Sequence, residues 1–322
     1  MLFKSLAVAL AGLTASSQAV PQAVGPASIP RDVLTLIPAG TWGPNPTGLE
    51  LHLHAPSTLH GKPAIILALH TCFGTGPMFH DFTLGYPAAA SAKNYVVLYP
   101  TSFRDNNCWD VANNASLIRD GGGDSTGLAT IVRWAITTFN ANPEKVFLTG
   151  SSSGCMMSNV MAATYPDLFA AISCYSGVPA GCMAGSPGYS PITADPSCAD
   201  GLIRHTPEEW ADIVRDMAPL PNGKGKGKGK NSKDNGWEYP RFQTWHGDND
   251  FFVNYFHNFA EQLEQWSEIH EVGFSHNVTA TPLPGYTKMV YGDGTKVLGY
   301  SVSGVGHVVP QQEASDLEWF GL

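Results

Sequence analysis

The stretch Val146-Phe-Leu-Thr-Gly150-Ser-Ser152-Ser-Gly154-Cys-Met-Met157 joins a strand-like apolar run to a G-x-S-x-G pentapeptide and then to a helix-like segment. That is the sequence form of a nucleophile elbow, a sharp strand-to-helix turn that lifts a serine hydroxyl above the end of a sheet. Ser152 is the middle serine. Glycines at 150 and 154 leave room for a strained turn and for close strand–helix packing, and the Ser153 N–H would face an oxyanion formed at Ser152. The pentapeptide alone is weak in a chain with 34 glycines, where an ordinary loop is the competing reading. Its flanks give it weight.

Working outward, the runs Ala64–Leu69, Tyr95–Tyr99, Val146–Thr149 and Phe169–Cys174 are short, continuously apolar and bounded by Gly, Pro or Asn. Strands apolar on both faces belong in a parallel sheet covered by helices. Leu128, Ile131, Val132, Ala135, Ile136 and Phe139 fall on one helical face between the second and third runs, and a helix-like Met156–Thr164 follows the third. This alternation predicts an α/β fold, a doubly wound, mostly parallel sheet with helices on both faces. The alternating Leu49-Glu-Leu-His-Leu-His54 reads as an antiparallel edge hairpin that starts the sheet; two histidines without a third ligand there read as surface residues rather than a metal site.

A serine nucleophile needs a base within hydrogen-bond reach and an acid to orient that base, and in α/β-hydrolases they follow in the order Ser, Asp or Glu, His. Downstream, Phe242-Gln-Thr-Trp-His-Gly-Asp248-Asn-Asp250 is a short strand opening into an acidic turn, where Asp248 and Asp250 compete for the acid role. Leu298-Gly-Tyr-Ser-Val-Ser-Gly304-Val-Gly306-His307 ends a strand in a glycine-rich loop that presents one histidine, which makes His307 the best general base in the chain. The second oxyanion donor belongs in the loop after the strand two before the nucleophile strand, Leu69-His-Thr-Cys72-Phe73-Gly74, where the Cys72 backbone N–H is the expected group.

The chain of 322 residues is long enough for one large α/β domain. Met1–Ala19 carries Lys4, an apolar core and the ending Ser17-Gln-Ala19, which reads as a secretory signal, leaving residues 20–322 as a single α/β domain. Removing Lys4 takes the net charge from −9 to −10, a poor balance for binding nucleic acid, and no later segment has the roughly twenty unbroken apolar residues of a membrane span. The six cysteines, Cys72, Cys108, Cys155, Cys174, Cys182 and Cys198, fit three disulfides in an exported chain and match no zinc or redox spacing. Asn114-Ala-Ser116 and Asn277-Val-Thr279 are N-glycosylation acceptors. A capping signal at Thr206-Pro-Glu-Glu209 opens a helix-like run to Met217, and the repeated Gly-Lys of residues 223–230 cannot bury a face and reads as a mobile surface loop.

Taken together, Leu69-His-Thr-Cys72, Cys108-Trp-Asp-Val111, Gly121-Gly-Gly-Asp-Ser125, Gly150–Gly154 with Met156-Met157, Trp245-His-Gly247 with Asp250, and Gly304–His307 with Pro310 give a chain that resembles fungal family 1 carbohydrate esterases. These are secreted α/β-hydrolases related to polyhydroxybutyrate depolymerases, and they include acetylxylan esterases and type B feruloyl esterases. The resemblance runs from about Gly48 to Leu322. It implies Ser152 as nucleophile, His307 as base and Asp250 rather than Asp248 as acid, and the pairs Cys72–Cys108, Cys155–Cys174 and Cys182–Cys198. Thr71 departs from the Gly, Trp or Tyr common at that place in the family. Phe73 and Trp109 stand beside the first cysteine pair, where they could wall the substrate groove; packing is the competing role. Gly121–Ser125 lacks the lysine of a phosphate loop and reads as a turn that caps the next helix.

The resulting expectation is a secreted serine esterase that hydrolyses feruloyl esters on plant cell-wall polysaccharide such as arabinoxylan, with no metal or cofactor. The segments Gly201–Trp210 and Tyr286–Gly294 favour the type B feruloyl esterases. An acetylxylan esterase is the alternative, and a non-catalytic polysaccharide-binding protein on the same scaffold is a third reading.

Overall fold

A computed structural model describes residues 25, 28–188, 193–219 and 236–322. The expected signal segment and the Gly-Lys run 223–230 lie outside the described residues.

The apolar runs form the centre of one ten-stranded sheet. In chain order its strands are β1 (Leu34–Ile37), β2 (Glu50–His54), β3 (Ala64–Leu69), β4 (Tyr95–Thr101), β5 (Val146–Ser151), β6 (Ala171–Tyr175), β7 (Arg241–Gly247), β8 (Phe274–Thr279), β9 (Tyr286–Tyr291) and β10 (Val297–Val302). They lie side by side as β1-β2-β4-β3-β5-β6-β7-β10-β9-β8. The six from β4 to β10 run parallel, β1 and β2 form the antiparallel edge expected from the alternation at Leu49–His54, and β9 and β8 extend the other edge antiparallel. The order reverses at β3, with β4 on one side and β5 on the other, and a binding crevice belongs at such a switch point.

Period-two alternation splits the core. Ile65 and Leu67 of β3 join Leu148, Ile172 and the α4 (Asp124–Phe139) residues Leu128, Ile131 and Val132 on one face, packed also by α5 (Ser153–Thr164), α6 (Pro207–Met217) and α7 (Tyr255–Ile269). Ile66 and Ala68 point the other way, onto Tyr86 and Ala90 of α2 (Gly85–Lys93) and Leu317, Trp319 and Phe320 of α8 (Glu313–Phe320). Between β3 and α2 lies the short α1 (Gly76–Phe82), and α3 (Asn114–Leu117) precedes α4. Thr206 caps α6 with the full capping box, its hydroxyl on the Glu209 amide and the Glu209 carboxylate on its own amide.

Two local expectations change, and one strand is added that the sequence pattern does not announce. Helix α5 starts at Ser153, directly behind Ser152 and earlier than Met156, because Gly154 hides the start from a propensity reading. Strand β8 is exposed along its whole length, so it carries no buried face for a pattern to reveal. His54 is buried beside His80 rather than on the surface, and burial lowers its pKa. The three disulfides are Cys72–Cys108, Cys155–Cys174 and Cys182–Cys198. Asn114 and Asn277 are both exposed, the latter on the open edge strand β8.

Candidate active site

Strand β5 delivers Ser152 at φ 54° and ψ −121°, a left-handed backbone that L residues adopt only when their surroundings enforce it. The enforcement is visible. The Ser152 N–H donates to the Tyr175 carbonyl at 2.8 Å, its carbonyl accepts the Met156 N–H at 3.0 Å, and the Cys155–Cys174 disulfide fastens α5 to β6. A Cβ on Gly150 would lie 2.4 Å from the Gly154 carbonyl oxygen, and one on Gly154 would lie 2.1 Å from the Leu69 carbonyl oxygen. Only glycine at both places lets β5, α5 and the end of β3 meet this closely.

His307 comes from the loop after β10, and Asp250 from the turn after β7. His307 Nε2 stands 2.8 Å from Ser152 Oγ, and its Nδ1 stands 2.7 Å from Asp250 Oδ2. The two acidic residues of that turn divide their work. Asp248 Oδ1 accepts the Gly304 N–H at 2.7 Å, and Gly304 holds φ at +71°, so Asp248 fixes the start of the histidine loop while Asp250 faces the imidazole. The loop crosses directly over the end of β7: a Cβ on Gly247 would lie 2.2 Å from the Val305 carbonyl oxygen. Asp250 is 5% exposed, and its other oxygen, Oδ1, accepts the Phe252 and Val253 amides. Burial pushes its pKa up, but hydrogen bonds from His246 and His307 and the charge His307 can carry outweigh that and hold the carboxyl well below the usual range.

The loop 70–74, where the second oxyanion donor is expected, is braced from several sides. The His70 Nε2 accepts the Ser102 N–H, its Nδ1–H donates to the Thr71 carbonyl, and burial pushes its pKa down to about 4 despite that bond, so the ring stays neutral. The Phe73 N–H donates to Asn106, Asn107 Nδ2 donates to the Gly74 carbonyl, and Cys72 is disulfide-bonded to Cys108. Ser153 is the first residue of α5, so its N–H has no acceptor within the helix and adds the positive end of the helix dipole. Its hydroxyl accepts the Trp109 N–H at 2.8 Å. Trp109 itself is a correction: it is fully buried and no groove wall, because its indole N–H donates to the His70 carbonyl and its ring packs 4.8 Å from the His70 ring, beneath the loop. Phe73 does reach the groove, 59% exposed.

A cavity of about 510 Å³ opens at Ser152 and His307, walled by Phe73, Met156, Met183, Phe252, Val253 and Val308. A smaller cleft of about 120 Å³ adjoins it across Thr71, Ser151 and Val308, with Met78, Phe79 and Phe82 of α1 behind it. Of the larger cavity's walls only Phe73 is expected from the sequence; Met156, Met183, Phe252, Val253 and Val308 are not. Phe252 sits two places after Asp250 and Val308 directly after His307, so adjacency to the triad was the available signal; Met183 follows Cys182, and nothing local marks it. Among the described residues no group of three or more His, Cys, Asp or Glu is placed to hold a metal ion, and no helix is long and apolar enough to cross a membrane.

Residues 49–194 match the family described as Esterase PHB depolymerase. The chain is 42% identical over 281 residues to feruloyl esterase B of Neurospora crassa, covering 87% of this chain and 90% of that one. It is 40% identical over 298 residues to the acetylxylan esterase of Coprinopsis cinerea, covering 89% of this chain and 74% of that one. Among solved structures, an acetyl xylan esterase from Aspergillus awamori matches with a TM-score of 0.77 at 35% identity, over 90% of this chain and 99% of that one.

Proposed function

The chain belongs to the PHB-depolymerase esterase family, together with feruloyl esterases B and acetylxylan esterases, and from that premise we propose that it is a secreted esterase for feruloyl groups on plant cell-wall polysaccharide, folding as one esterase domain over residues 20–322. The observation that carries the acyl preference is the apolar cavity at Ser152, about 510 Å³ and walled by aromatic and methionine side chains. A hydroxycinnamoyl ring can bury its faces against Phe73, Phe252, Met156 and Met183, whereas an acetyl methyl would leave most of that surface wet.

In this reading the ester carbonyl sits above Ser152 with its oxygen toward the Cys72 and Ser153 amides. His307 Nε2, 2.8 Å from Ser152 Oγ, takes the hydroxyl proton as Oγ bonds to the carbonyl carbon. Charge moves onto the carbonyl oxygen, where each fixed amide donor contributes about 3 kcal/mol to the barrier reduction. The imidazolium, held by Asp250, returns its proton to the departing sugar oxygen. Water then enters and gives a proton to His307 as its oxygen bonds to the acyl carbon; the bond from that carbon to Ser152 Oγ breaks, Oγ takes the proton back from His307, and the acid leaves. Asp250 keeps His307 in the tautomer with Nδ1 protonated, which leaves Nε2 free as the base.

Acetylxylan hydrolysis is the second reading, favoured by the TM-score of 0.77 against the acetyl xylan esterase. Initial rates on methyl ferulate and on acetylated xylan, with Ser152→Ala beside the parent, decide between them. Faster ferulate hydrolysis, lost in the variant, is expected. A preference for acetyl groups would overturn the acyl assignment, and undiminished activity of Ser152→Ala would overturn the nucleophile.

A further inference from the structure

We infer that His246 is a positioning residue for the reaction, a neutral second imidazole that holds the Asp250 carboxylate from behind and shares its charge with His307. The inference rests on the triad reading above and adds a part that the reading does not need. His246 lies on β7 with no solvent exposure. Its Nε2 is 3.0 Å from Asp250 Oδ2, the same oxygen that His307 Nδ1 approaches at 2.7 Å, and 3.1 Å from the Val253 carbonyl. Both groups near Nε2 are acceptors, so Nε2 carries a proton. Nδ1 is buried with no hydrogen-bond partner among the described residues. A proton there would be a buried donor without an acceptor, so the tautomer that fits is the neutral ring protonated on Nε2 alone. Edge-on packing of Tyr255 and Phe259 against the ring, at 5.7 Å and 6.0 Å, keeps it in that plane.

The consequence follows from two donors meeting one carboxylate oxygen. A hydrogen bond from His246 draws electron density from Oδ2 and so weakens the hold of Asp250 on a protonated His307. Without it, His307 keeps its proton to higher pH and is out of action as a base there. The other titratable groups around the pair are already committed: the Tyr255 hydroxyl donates to Ser301 Oγ, and Asp248 accepts the Gly304 N–H.

The test uses the full secreted chain and a soluble feruloyl ester, with His246→Leu to remove the donor and His246→Gln to return an N–H near the Nε2 position. His246→Leu is expected to lower kcat on the order of tenfold or more with little change in KM. It should also move the acid limb of kcat/KM upward by roughly half a pH unit or more, and His246→Gln should recover most of both. An acid limb that stays in place in His246→Leu, or a Gln variant as impaired as the Leu variant, would overturn the inference and leave His246 as packing. Should the Leu variant not fold, ¹⁵N signals of the parent's histidines decide: a proton on Nδ1 of His246 overturns the inference, and a proton on Nε2 alone supports it. Asp250→Asn in the same assay separates the two levels, because an active Asp250→Asn sinks the triad itself, whereas an inactive one beside an unaltered His246→Leu profile sinks only the role of His246.

Discussion

Asp250 and Asp316 are both buried carboxylates, 5% and 0% exposed, yet their surroundings pull them in opposite directions. Asp250 accepts hydrogen bonds from His246, His307 and the amides of Phe252 and Val253. Asp316, on α8, accepts them from Tyr86, Tyr175, Ser173 and Gln243. Each is fully satisfied. Asp250 is nevertheless held well below the usual carboxylate range, whereas complete burial pushes Asp316 up to about 6 against the pull of its hydroxyl donors, with Glu313 adding like charge. Hydrogen-bond count therefore does not set the charge state. What differs is the partner: Asp250 faces His307, which is able to become a cation, whereas Asp316 meets only neutral hydroxyl and amide donors.

The largest expected difference between the two sites is in turnover. Asp250→Asn removes the acceptor that selects the His307 tautomer, so kcat is expected to fall by roughly 10³- to 10⁴-fold. Asp316→Asn should leave kcat within about tenfold of the parent, since its carboxylate touches no reacting group. A comparable loss in both variants would show that Asp316 acts on the elbow through Tyr175, whose carbonyl holds the Ser152 amide.

The next difference is in stability against pH. Asp250 has a folded pKa below its unfolded value, so its contribution is present above about pH 4 and is lost as acid protonates it. Asp316 has a folded pKa of about 6, above the unfolded 3.8, so its contribution is complete below the unfolded value and is lost as pH rises through about 6. A shift of that size corresponds to about 3 kcal/mol. Denaturant unfolding of the parent and of Asp316→Asn at pH 4 and pH 7.5 is expected to show the parent losing roughly 2 kcal/mol more than the variant on going to the higher pH, the remainder being already lost at pH 4, just above the unfolded value. Parallel pH dependences in the two proteins would mean that Asp316 stays ionised and that the hydroxyl cluster stabilises the charge.

The same pair of sites shows where sequence stops being readable. The elbow was legible because glycines at 150 and 154 are costly anywhere that does not need them, and the central strands because they are apolar on both faces. Choosing between Asp248 and Asp250 was beyond the residues themselves, since both sit in one acidic turn and only the approach of the β10 loop separates a base partner from a loop clamp. His246 and Asp316 are single polar letters inside apolar or helical patterns, and their partners come from distant segments. Trp109 misled because adjacency to Cys108 does not say on which side of the oxyanion loop a ring will pack. Strand β8 has no buried face at all.

The smallest effect sharpens the contrast within the acidic turn. Asp248 is partly exposed and clamps the loop by one bond to the Gly304 amide, whose φ of +71° ties the direction of that N–H to the course of the chain toward His307. Asp248→Ala removes a charge-assisted bond worth about 1 kcal/mol once solvent competition at a partly exposed group is allowed for. The loop is still anchored by the Asn249 N–H on the Val305 carbonyl and by the Asp248 N–H on the Val302 carbonyl, neither of which needs the side chain. A fall in kcat of about fivefold is expected, with no displacement of the pH profile, because Asp248 touches neither nitrogen of His307. A profile that moves in Asp248→Ala as it does in His246→Leu would mean that the clamp and the charge-sharing imidazole act through one shared loop position, and the separation of roles between Asp248 and Asp250 would fall with it.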